Sequence, residues 1–119
     1  MKNVMLDLET MGNGNRAAIV AIGACEFDPH GADKGAGFPD VPIGTTFYQQ
    51  VTLQSSADVG LNIDPSTILW WLKQSDAARK STFEGTDQGS LETVLRMFSK
   101  WIDHIDNGGL GSNVIVWGN

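Results

Sequence analysis

Hydrophobic periodicity changes twice along this chain, from a repeat of two to the helical repeat near residue 64, and back to a strand-like run near residue 113. Three strand-like segments, then helices, then one more strand leave few compact arrangements. Residues 3–9 alternate, with Val4, Leu6 and Leu8 on one face and Met5, Asp7 and Glu9 on the other, as in a strand with one apolar side. Ala17 to Phe27 is a near-continuous apolar run with β-branched members, the pattern of a strand covered on both faces. Between them, Gly12-Asn13-Gly14 has hairpin chemistry and lacks the spacing and the Lys of a phosphate-cradling loop. A Gly- and Pro-rich stretch to Gly44 is longer than most loops and reads as a surface excursion or a flap. Thr45 to Val51 follows as a third strand.

Asp64-Pro65 supplies an N-cap and a proline at the first helical position, which opens a helix through Ile68-Leu69-Trp70-Trp71-Leu72-Lys73. Ser75-Asp76 caps a second, short helix. Ser90 caps a longer one whose apolar positions Leu91, Val94, Leu95, Phe98, Trp101, Ile102 and Ile105 keep the helical period until Asn107-Gly108-Gly109 stops it. Asn113 to Trp117 is a fourth strand. The class expected is α/β. A right-handed crossover through the helices lays strand 4 parallel to strand 1 and beside it, in the order 3-2-1-4. Strand 4 is then an apolar edge suited to another strand or to a second copy of the chain, so a homodimer through that edge is one expectation. The sequence reads as one domain over residues 1–119, incomplete because it stops at Gly118-Asn119 without a closing element.

With 41% hydrophobic and 18% charged residues, the chain is too apolar to be disordered. No apolar run approaches the ~18 residues of a membrane span, and no signal-peptide pattern is present, which points to a soluble cytoplasmic protein without membrane partners. The lone Cys25 sits in an apolar run and reads as a small buried hydrophobe. A net charge of -6 argues against unaided attraction to phosphate backbones, unless clustered carboxylates hold divalent cations and invert the local charge.

Asp7 and Glu9 are such a pair. Two residues apart on one strand, they project to the same side at about 7 Å along the backbone. At an effective dielectric of about 20, two charges at that distance repel by about 2 kcal/mol, and a bound divalent cation reverses the sign. Oxygen ligands suit Mg²⁺ or Mn²⁺, although two carboxylates do not complete an octahedral shell. Asp-x-Glu alone is equally the mark of a solvated acidic face. Trp70 and Trp71 are adjacent on a helix and about 100° apart, so one packs in the core and the other is free to serve as a base-stacking platform. His30, in a turn, and His104, near a helix end, read as surface residues, as do Asp103 and Asp106.

Met5-Leu6-Asp7-Leu8-Glu9-Thr10-Met11-Gly12, followed by Ile19-Val20-Ala21-Ile22-Gly23-Ala24, resembles the first motif and second strand of the DEDD superfamily of 3′-to-5′ exonucleases. Thr67 to Ser75 and Val116-Trp117-Gly118-Asn119 look like the bacterial and phage branch. The resemblance implies a ribonuclease H-like mixed sheet, two Mg²⁺ or Mn²⁺ ions held by four carboxylates, and release of nucleoside monophosphates from the 3′ end of single-stranded or 3′-ended DNA or RNA. By position it implies that Asp7 ligates both metals, that Glu9 ligates the one activating water, and that Thr10 and Met11 meet the terminal nucleotide. The family's second Asp falls shortly after a Trp-Gly-Asn such as Trp117-Gly118-Asn119, where this sequence stops, and the third Asp and its neighbouring base lie further on. The expectation is an exonuclease domain whose 119 residues do not turn over by themselves. The alternatives are a non-catalytic remnant that binds nucleic acid or protein, and a phosphatase with Asp7 as nucleophile.

Overall fold

A computed structural model describes residues 1–30, 43–106 and 113–118. The middle of the Gly-rich connection, the Asn107-Gly108-Gly109 stop and Asn119 lie outside the described residues. The elements in chain order are β1 (Lys2–Thr10), β2 (Ile19–Phe27), β3 (Ile43–Gln50), α1 (Leu53–Asp58), α2 (Pro65–Leu72), α3 (Asp76–Phe83), α4 (Leu91–Ile105) and β4 (Val114–Gly118). The strands form a mixed sheet in the order β3-β2-β1-β4. β4 runs parallel to β1, with Val4 opposite Val116 and Leu6 opposite Gly118. This is the order that a right-handed crossover predicts.

The chain divides into two units, the first made of Met1–Asp7, Gly23–Phe47 and Met97–Asn119. Its buried centre is Val4, Ala24 and Ile105, against which Leu6, Phe47, Phe98, Trp101, Ile102 and Val114 pack. Phe98, Trp101, Ile102 and Ile105 fall on one face of α4 by the helical period, and Phe47 meets Phe98 edge to face at 5.5 Å between ring centroids. Two residues in this unit depart from expectation. Cys25 is only half-buried. Asp106, expected to be a solvated helix-end charge, is 8% exposed, and its Oδ2 has no hydrogen-bond partner among the described residues. The turn after Ile105 folds it inward, where helical period alone gives no warning. Asp103 is half-buried, whereas His104 and, at the end of β2, His30 are exposed.

The second unit comprises Leu8–Ile22 and Tyr48–Arg96. Met11, Ala18, Val20 and Trp71 form its core, with Leu53, Leu61 and Phe83 packed on them. Val20, Ala21 and Ile22 are each 1% exposed, so β2 is covered on both faces as its composition indicates. The second strand starts at Ile19 rather than Ala17, because Ala17 makes a separate parallel bridge to Asn62. Two backbone bonds define that bridge, Ala18 N–H to Asn62 O at 2.8 Å and Asn62 N–H to Arg16 O at 2.7 Å, and a further bond from Asp64 N–H to Met11 O at 2.7 Å lies beside it. Helix α1 has no periodic signature in sequence. It is anchored by Ser56, 0% exposed, whose hydroxyl donates to Ile19 O at 2.7 Å. Ser75 and Ser90 cap as expected, their hydroxyls accepting from the backbone N–H of Ala78 and Thr93 at 3.2 Å each. Asp64 differs: α2 does begin at Pro65, but the carboxylate makes no capping bond.

Candidate functional site

β1 brings its two carboxylates toward its C-terminal end. Asp7 is exposed and Glu9 is half-buried, and strand alternation gives both the same side of the strand. Leu8, expected on the covered face with Val4 and Leu6, is 39% exposed. Burial declines along that face because Val4 and Leu6 meet the aromatic cluster, whereas Leu8 lines a cleft.

That cleft, about 360 Å³ in volume, lies wholly within the second unit. Leu8, Glu9, Thr10 and Gly12 come from the end of β1 and its turn, and Ser66, Thr67, Trp70 and Trp71 come from α2. Pro65 starts α2 one turn before Trp70, so Ser66 and Thr67 stand on the tryptophans' side at spacings of three and four. Helical spacing from Trp70 is the signal that could have found Ser66 and Thr67 from sequence. Trp70 is 53% exposed and Trp71 8%, so the tryptophan pair divides into a solvent-facing ring and a core ring, as expected for neighbours on a helix. Trp71 is held edge to face against Phe83 at 4.9 Å.

Thr10 donates its hydroxyl hydrogen to Gly12 O at 2.7 Å. Its oxygen is thereby left as an acceptor toward anything in the cleft. Met11 is 6% exposed and packs on Ala18, Val20 and Trp71, so its side chain supports the cleft from beneath and is not among its lining residues. An aromatic face, three hydroxyls and one carboxylate around a volume of this size suit a nucleoside: a π-face for the base, and polar groups for the sugar.

Among the described residues no cluster of three or more His, Cys, Asp or Glu is assembled to hold a metal ion. Asp7 and Glu9 are hard oxygen donors of the kind that Mg²⁺ and Mn²⁺ prefer, so their chemistry fits those ions while their number fits only part of a shell.

Among solved structures the chain is similar to a full-length 3′-exonuclease, with a TM-score of 0.51 at 15% sequence identity over 98% of this chain and 45% of that one. The likeness defines the class as an exonuclease-type α/β fold. The chain belongs to the 3′-5′ exoribonuclease Rv2179c-like domain family, which it matches over residues 2–119. It is also similar to the exodeoxyribonuclease of Enterobacteria phage T4, 28% identical over 103 residues that make up 87% of this chain and 44% of the phage protein. The chain therefore spans less than half the length of either relative. No helix among the described residues is long and apolar enough to cross a membrane.

Proposed function

We propose that this chain carries the terminal-nucleotide site and part of the metal shell of a metal-dependent 3′-to-5′ exonuclease that releases nucleoside monophosphates from DNA or RNA. The observation that carries this is the cleft of Glu9, Thr10, Ser66, Thr67 and Trp70 at the end of the strand that also bears Asp7. Asp7 and Glu9 would hold Mg²⁺ or Mn²⁺. When bound, a pair of such cations stabilises the attacking and leaving oxygens of an in-line displacement at phosphorus. The chain's own residues bind and orient. Trp70 offers its face to the terminal base, and the Thr10 oxygen accepts a hydrogen bond from the sugar. Met11 and Trp71 hold that wall in place from the core. The aspartyl-phosphatase alternative finds no support in the family assignment, whereas binding without turnover by these 119 residues remains part of the proposal.

A short single-stranded oligonucleotide with a free 3′-hydroxyl, added in Ca²⁺ to slow any cleavage, should quench tryptophan fluorescence. The quenching should be lost in Trp70→Ala. Quenching that survives Trp70→Ala unchanged would place the nucleic acid elsewhere. The outer edge of β4, with Ile115 41% and Trp117 48% exposed, is where a second copy would pair. Concentration-independent sedimentation as a monomer would remove that part of the proposal.

A further inference from the structure

The turn between β1 and β2 contains Asn13-Gly14, both exposed, and Asn13 lines the nucleoside cleft beside Glu9, Thr10 and Gly12. Bonds on either side pin this turn: Met11 N–H to Ala18 O at 2.9 Å, the Thr10 hydroxyl to Gly12 O, and Ala17 N–H to Gly14 O at 3.3 Å. Between those ties, and among the described residues, neither the Asn13 side-chain amide nor the Gly14 N–H makes a hydrogen bond. Gly14 has no atom within 4 Å of where a Cβ would stand, and its φ is not positive. The turn therefore has room for a side chain at position 14 and asks for no conformation reserved to glycine.

An asparagine followed by glycine is the pair most open to attack of the next backbone nitrogen on the side-chain amide, because no Cβ shields that nitrogen. The other described asparagines near the turn are protected. Asn3 precedes Val4, and its Oδ1 accepts from Trp117 Nε1 at 3.1 Å. Asn62 has both its N–H and its carbonyl in backbone bonds and precedes the β-branched Ile63. Asn15 is exposed but precedes Arg16, whose side chain hinders approach to its nitrogen. At Asn13 the Gly14 N–H gives up its proton and the nitrogen bonds to Cγ. The Cγ–Nδ2 bond breaks, ammonia leaves with the proton, and a five-membered succinimide remains. Water then opens the ring at either carbonyl, giving aspartate or isoaspartate without change of oxidation state. In both products a neutral amide has become a carboxylate, which makes the net charge of -6 one unit more negative at the mouth of the cleft.

We propose that Asn13-Gly14 is a self-modification site, at which the nucleotide cleft acquires a carboxylate with time and loses affinity for the phosphates of nucleic acid. The chemistry of the turn stands by itself, and its effect on binding rests on the exonuclease function proposed above.

The test compares fresh chain with chain held for days at body temperature and mildly alkaline pH, where the Gly14 nitrogen loses its proton more readily. Trypsin cuts after Lys2 and Arg16, so Asn3, Asn13 and Asn15 leave on one peptide and fragmentation tells them apart. A gain of about 1 Da should appear at Asn13 ahead of Asn3, Asn15 and Asn62, and should be suppressed in Gly14→Ala. Asn13→Gln, whose longer amide cyclises far more slowly, is the second stable variant. A short single-stranded oligonucleotide in Ca²⁺, followed by tryptophan fluorescence, should bind the aged chain and Asn13→Asp about two- to fivefold more weakly than the fresh chain, with the difference shrinking as salt is raised. Aged Gly14→Ala should keep its fresh affinity. Conversion at Asn13 no faster than at Asn15, or undiminished by Gly14→Ala, would overturn the site, as would unchanged affinity in both the converted chain and Asn13→Asp. Failure of the fresh wild type to bind the oligonucleotide would instead overturn the exonuclease proposal, and the mass gain at Asn13 would still decide the chemistry.

Discussion

Trp70 and Trp71 meet edge to face, with ring centroids 4.9 Å apart and planes inclined by 82°. One helix thus carries a core residue and a ligand-facing residue in succession, and their losses should differ in kind. Trp71→Ala, which empties the contact with Met11, Val20 and Phe83, should lower the unfolding free energy by about 3–5 kcal/mol. Trp70→Ala, which loses chiefly that edge-to-face contact, should cost only about 0.5–1.5 kcal/mol of stability and weaken oligonucleotide binding by about 1–3 kcal/mol per stacked base. Equal destabilisation by the two substitutions would show that Trp70 also belongs to the core.

Mn²⁺ titration reads the acidic strand directly. Paramagnetic broadening of backbone resonances should centre on residues 7–10 in the wild type and disappear in Asp7→Asn, because removal of one of two carboxylates leaves a single attachment point. Adding Mg²⁺ in excess should relieve the broadening by competition. A pattern that is the same in wild type and Asp7→Asn would mean that Mn²⁺ binds at other acids.

Turnover is a separate matter. With two carboxylates and, among the described residues, no third His, Cys, Asp or Glu clustered with them, the 119-residue chain should release no measurable nucleoside monophosphate from a 3′-labelled oligonucleotide in Mn²⁺. Groups that act as a unit are not recovered piecemeal. A longer chain that adds further acidic motifs should cleave from 3′ ends and lose that activity in Asp7→Asn. Robust cleavage by the 119-residue chain that is abolished by Asp7→Asn would falsify this expectation and direct attention to acids outside the cleft.

Ser56 tests the placement of α1. Its buried hydroxyl donates to the Ile19 carbonyl, so Ser56→Ala should cost about 1–3 kcal/mol through the group left unsatisfied. Hydrogen exchange at residues 53–58 should rise in step with the loss of global stability. Unchanged stability would indicate that water takes over the carbonyl.

Strands and long helices were legible because each carries its own period: the alternation of residues 3–9, the two-sided apolar run of β2, and the spaced apolar face of α4. What escaped detection depends on contacts between distant segments. Leu53-Gln54-Ser55-Ser56-Ala57-Asp58 is helical because Ser56 reaches Ile19 and Leu53 reaches the core, and neither contact leaves a mark on local composition. Leu8 follows the strand's alternation yet lines a cleft, since alternation fixes the face and not what covers it. Asp106 is buried, contrary to its helix-end position, for the same kind of reason. For the site, Glu9, Thr10, Trp70 and Trp71 stand out in sequence by motif and helical spacing and line one cleft, whereas Met11 belongs to the core beneath it, and Ser66 and Thr67 carry no site signal of their own.

The bridge from Arg16 and Ala18 to Asn62 also sets an order of events. Its bonds join residues separated by two whole strands and a helix, so the loop between them must close before either bond can form. A nascent chain emerging N-terminus first presents Asp7 and Glu9 early, then waits while the intervening residues are added at about 5–20 per second, so that a few seconds pass before residues 62–64 are available. During that interval the acidic strand exists without its binding wall. Nucleotide affinity should therefore arrive in one late step of folding, after the metal-seeking carboxylates are already exposed.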